Sequence, residues 1–136
     1  MLAIIADLYS PLLALFCVYY LRAKMSKNLA LCFIVAYLAV YGFAFIEFHF
    51  GWWLAMGANF SSHTAVVMVI VCALLSFSFS VGFYAFISVF IYGWLMTALH
   101  YHSWFDIFST MILCLPCWGL FFIAKRASSQ HANVKV

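Results

Sequence analysis

The sequence predicts an all-α protein, a polytopic membrane helix bundle of about five transmembrane helices, with the N-terminus out and the C-terminus in. Three observations lead there. Of 136 residues, 70% are hydrophobic and 7% charged, an apolar share that a soluble domain of this size has no interior to hide. The apolar residues fall into five runs of roughly 20, the length that crosses a hydrocarbon core about 30 Å thick. The six Lys and Arg are confined to two places, one after the first run and one after the fifth.

Leu2–Leu21 reads as the first span, with Pro11 inside it, where a kink or an interfacial first turn is expected. The segment lacks a basic n-region and a clear cleavage site, so it reads as a retained span and not a signal peptide. Arg22, Lys24 and Lys27 form a short basic loop. Asn28–Phe50 is the second span and carries Glu47 and His49 in its last turn. Gly51–Ser62, GWWLAMGANFSS, reads as a loop with Trp52 and Trp53 as interface anchors. His63–Val81 and Phe83–His100 are the third and fourth spans, joined by a very short turn at Gly82. Ser103–Ala124 is the fifth, with Pro116 inside it. Residues 1–126 thus form one transmembrane bundle, and 127–136 a polar cytoplasmic tail. Cys17, Cys32, Cys72, Cys114 and Cys117 all fall inside apolar runs and read as small buried hydrophobes. Cys114 and Cys117 have redox-type spacing but sit mid-span, away from water and thiol partners.

Arg22, Lys24, Lys27, Lys125, Arg126 and Lys135 lie on one side of a five-span topology. The positive-inside rule makes that side cytoplasmic. The expected location is a bacterial inner (plasma) membrane, and two short basic clusters exclude a nucleic-acid partner. Glu47, His49, His63, His100, His102 and Asp106 then collect at the outer face. Ionisable groups at membrane depth are costly without partners, so such a cluster points to an active or metal site.

Two stretches carry the chemistry. LHYHSWFDIF, Leu99–Phe108, holds His102 and Asp106 four residues apart. In a first helical turn both side chains share a face, and the carboxylate can accept from one imidazole nitrogen and leave the other basic. A polar cap at a helix end is the plainer reading of the same spacing. NFSSHT, Asn59–Thr64, opens the third span. Ser61 or Ser62 suits an N-cap there, and His63 falls in the first turn, where free N–H groups favour an anion.

Together, FSSH (Phe60–His63) and HxxxD (His102–Asp106) resemble the second and third motifs of the type 2 phosphatidic acid phosphatase (lipid phosphate phosphatase) superfamily. The FS-x-HT form is nearer to its sphingomyelin-synthase-like branch. One helical hairpin separates the motifs, as in the family, and the likeness covers about residues 60–110. The resemblance implies a two-step phosphoryl transfer on a lipid phosphate. His102 would be the nucleophile, Asp106 its orienter, and His63 the acid and later the base. Ser61, Ser62, His49 and His100 would contact the phosphate, and no metal or cofactor would be needed. On this reading Asp106→Asn lowers turnover and leaves the fold intact. The family's first motif is absent: AFIEFHFGWW holds neither Lys nor Arg-Pro, and Met96 stands where the third motif carries Arg. Losing cations that steady the transferred phosphoryl group typically costs about 10²–10³ in rate each, so weak activity is expected.

Two other functions stay open on the residues alone. Glu47, His49, His63, His100, His102 and Asp106 form a ligand set suited to zinc, copper, iron or haem. Alternatively the chain is a non-catalytic small subunit of a larger membrane complex, or a homo-oligomer. Sixteen Phe, eight Tyr and five Trp suit lipid and helix contacts alike.

Overall fold

The structure, a computed structural model, describes residues 2–133. It is all helical among those residues, without strands. The first helix, α1 (Leu2–Leu21), runs unbroken through Pro11 and ends in a 3₁₀ turn, Arg22–Lys24. The second, α2 (Lys27–Phe50), starts at Ser26, whose hydroxyl accepts from Leu29 N–H at 3.1 Å, and stops at Gly51. Gly51 takes φ 63°, the left-handed conformation that costs a glycine nothing. A one-turn helix, α3 (Trp52–Ala55), follows, then α4 (Ser62–Phe77), α5 (Phe79–Ala98), α6 (Trp104–Cys114) and α7 (Pro116–Asn133).

Four segments are long and apolar enough to cross a membrane: Ile4–Lys24, Lys27–Phe50, Phe79–Ala98 and Trp104–Ala127. The chain is therefore an integral membrane protein. Its outward faces bear this out, because Leu12, Leu15, Leu38, Phe45, Ile91 and Ile123 are each at least 60% exposed. The fifth apolar helix, α4, has 16 residues and rises only about 24 Å. It is the core of the bundle: every residue from Val67 to Leu74 is buried, and it packs against α1, α2, α5, α6 and α7. A helix apolar all round is buried in protein or in lipid, and α4 is surrounded by the other helices.

Three boundaries differ from the sequence reading. The α4–α5 reversal falls at Ser78, in extended conformation, and not at Gly82. Gly82 lies inside α5 and serves a different end, since a Cβ there would run into the Leu75 backbone. Close backbone approach of this kind is how helices associate in lipid, where the solvent supplies no hydrophobic drive. Pro116, which has no N–H, divides the fifth span into α6 and α7 at Leu115. Finally, α7 continues through the polar stretch to Asn133, so most of the tail is helical. Lys135 lies outside the described residues.

The helix directions decide what meets what. The Glu47 end of α2 and the starts of α4 and α6 come together, tied by an Asn59–Asp106 bond and a Trp53–Ser109 bond. The start of α2 meets α7, where Cys32 Sγ approaches the Leu120 carbonyl at 3.9 Å. Arg22, Lys24, Lys27, Lys125 and Arg126 thus gather at one end of the bundle and the histidine-bearing turns at the other.

Candidate functional site

The site is built on one face of the start of α6. Asp106, Ser109 and Thr110, spaced i, i+3, i+4, share that face. Ser103 opens the helix with a reciprocal capping box: its hydroxyl accepts from Asp106 N–H at 3.2 Å, and the Asp106 carboxylate accepts from Ser103 N–H at 2.7 Å. The other carboxylate oxygen reaches across to the loop before α4 and accepts from Asn59 N–H at 2.8 Å. Thr110 Oγ1 accepts from Ser61 N–H at 3.2 Å, and Ser109 Oγ accepts from the Trp53 indole at 2.9 Å. Three side chains of one helix therefore pin residues 53–61. Ser109 and Thr110 escaped the sequence reading, although their spacing from Asp106 was visible.

Trp53 consequently points inward, packed on Phe43 and Phe60. Trp52 is the exposed one, at 52%, stacked on Phe50. The physical reason is the indole N–H, which finds an acceptor inside the bundle.

His102 sits in the turn between α5 and α6, with its side chain 16% exposed. Its Nδ1 lies 3.7 Å from the Asp106 carboxylate, an ion-pair distance too long for a hydrogen bond, and has no hydrogen-bond partner among the described residues. Burial lowers the His102 pKa below its ordinary value; nearby Asp106 opposes the shift and the charge of His63 reinforces it. His63 and His102 are thus within electrostatic reach of each other, across the starts of α4 and α6. His63 itself is exposed, in the first turn of α4.

The remaining candidates are placed less favourably for a shared site. Ser61 is fully buried and acts as the α4 N-cap, accepting from Thr64 N–H at 3.3 Å and bonded to the Thr64 hydroxyl at 2.8 Å. Its hydroxyl is committed inward, and Ser62 is the exposed serine. His49 lies on the exposed face of α2, against Phe45 and Phe48, with Nδ1 3.1 Å from the Phe45 carbonyl. His100 is exposed in the turn at φ 58°. Among the described residues, no three His, Cys, Asp or Glu side chains gather in a metal-holding group.

Glu47 is the remaining acid at this end. It is 8% exposed, and its Oε1 caps α3 by accepting from Trp53 N–H at 2.7 Å and Leu54 N–H at 3.4 Å. Its Oε2 is buried with no hydrogen-bond partner among the described residues. Chemically, this end of the bundle offers a neutral imidazole beside a carboxylate, a second imidazole at a helix start, and the first-turn N–H groups of Ser62 and His63, for which the helix itself provides no acceptor. Compared with family models, curated proteins and solved structures, the chain gives no match in any of the three.

Proposed function

We propose that this protein is a small integral-membrane phosphoryl-transfer protein that acts on a lipid phosphate through a phosphohistidine on His102. The observation that carries the reading is the placement of His102: a largely buried imidazole whose Nδ1 lies 3.7 Å from the Asp106 carboxylate, where burial biases it toward the neutral form. The order of the two motifs and their resemblance to the phosphatidic acid phosphatase type add support. With the basic residues at the opposite end of the bundle, the positive-inside rule puts the site at the outer face of a plasma membrane.

The chemistry follows from which nitrogen faces Asp106. Nδ1 does, so a proton held there leaves the lone pair on Nε2. Nε2 attacks phosphorus, the phosphorus–oxygen ester bond breaks, and its electron pair leaves on the alcohol oxygen, which takes a proton from His63. In the second step His63 removes a proton from water, or from an acceptor alcohol, as it attacks phosphorus. The phosphorus–nitrogen bond then breaks and returns the electron pair to Nε2. The N–H groups of Ser62 and His63 are the donors available to the phosphoryl oxygens. The described Lys and Arg residues cluster at the far end, so turnover is slow relative to enzymes that clamp phosphate with several cations.

The test is acid-labile label on the purified protein after incubation with a labelled lipid phosphate. Label on wild type and none on His102→Ala supports the reading. A protein that no lipid phosphate, diphosphate or phosphocholine donor labels refutes it. A second reading, a non-catalytic small membrane subunit, draws on the commitment of both Asp106 oxygens to backbone N–H groups. Unlabelled protein that co-purifies with a stoichiometric membrane partner would favour it.

A further inference from the structure

Beside Glu47 lies an open cleft of about 450 Å³, lined among others by Glu47, Phe48, Leu54, Asn59, Phe60 and Ser62. Glu47, one of its lining residues, has a buried carboxylate oxygen, Oε2, that no group among the described residues satisfies. Its partner oxygen is fully used in capping α3. A carboxylate only accepts hydrogen bonds, and a buried one without a donor or counter-charge is costly. Among the described residues no Lys or Arg lies here, because Arg22, Lys24, Lys27, Lys125 and Arg126 are all at the other end of the bundle. A metal ion is ill served, since among the described residues no group of three His, Cys, Asp or Glu forms around Glu47. An anion would be repelled.

We infer that the Glu47 cleft binds a primary ammonium group. Such a group brings one positive charge and three N–H donors, and Glu47, Ser62 and Asn59 among the lining residues carry the acceptor types that suit it. Phe48, Leu54 and Phe60 supply apolar wall for the methylenes beside the nitrogen. A quaternary ammonium has no N–H and leaves the acceptors unused. The cleft opens at the last turn of α2, at the end of a membrane-spanning helix, which is where lipid head groups lie. Two sources carry this chemistry, an ethanolamine head group on a lipid and a free small amine. The inference concerns binding and stands apart from any turnover at His102.

The experiment uses the full chain, equilibrated with micelles of equal phosphatidylethanolamine, phosphatidylcholine and phosphatidylglycerol, and reads retained lipid by native mass spectrometry. Phosphatidylethanolamine should exceed phosphatidylcholine by about tenfold, the scale of a charge-assisted hydrogen bond. Glu47→Gln should bring the ratio to about one, while the amide oxygen still accepts from Trp53 N–H. Leu54→Trp, which fills the cleft and leaves the carboxylate in place, should do the same. Displacement of the lipid by millimolar ethanolamine supports recognition of the amine alone; persistence of the lipid supports recognition of the whole head group. Equal retention of the two zwitterionic lipids by wild type, or a preference that survives either substitution, overturns the inference.

Discussion

Replacing Asp106 with alanine tests how far this end of the bundle depends on one carboxylate. The side chain is 5% exposed and accepts two backbone hydrogen bonds, from Asn59 at 2.8 Å and Ser103 at 2.7 Å. A hydrogen bond to a charged group contributes about 1.5–3 kcal/mol, and removing the acceptor leaves both N–H groups without one. The loss should therefore be about 3–6 kcal/mol, which corresponds to a fall of roughly 10 °C or more in Tm for a chain of this length. Asp106→Asn keeps one acceptor oxygen and turns an NH₂ toward the other N–H, so it should lose about half as much. This differs from the expectation drawn from HxxxD spacing alone, in which the asparagine variant keeps its stability and loses only turnover. The reason is that the carboxylate ties α6 to the loop before α4 besides facing His102. The assay is thermal unfolding in detergent followed by tryptophan fluorescence, with Thr110→Val as a companion that removes only the Ser61 acceptor and should cost about 1 kcal/mol. An Asp106→Ala protein that melts within a degree or two of wild type would refute the tie.

Three further outcomes are expected. Burial depresses the His102 pKa below its ordinary 6.5, so the folded protein binds fewer protons than the unfolded chain between those values. The stabilisation is complete above about pH 6.5 and is lost as pH falls through the folded value; acid unfolding scans on wild type and His102→Gln should show a shallower acid limb in the variant. Gly82→Ala drives a methyl into the Leu75 backbone and should cost about 1–3 kcal/mol by overpacking, measured by the same melts; a neutral effect would mean that α4 and α5 can separate freely. A reporter fused after Lys135 should read cytoplasmic and one inserted between Trp53 and Asn59 exterior, and both on one side would contradict the bundle's polarity.

What the sequence determined was the class and the order of parts. Apolar runs near membrane length are read in one dimension, and they mark the apolar spans to within a few residues, though not the helical tail or the break at Leu115. The separation of the bases from the histidines followed from counting spans, and the helix directions bear it out. That His63 and His102 fall at the same end of the bundle was also legible, because each opens or precedes a helix there. Tertiary structure alone decided the rest. In a membrane bundle both the inner and outer faces are apolar, so the pattern gives no warning that α4 is the buried core or that α4 reverses at Ser78. Nor could spacing say that Ser61 turns inward while Ser62 stays exposed, that Trp53 finds Ser109, or that Asp106 divides its oxygens between its own helix and Asn59. Each of those outcomes depends on a partner about 50 residues away, chosen by where a buried donor can find an acceptor when lipid offers none.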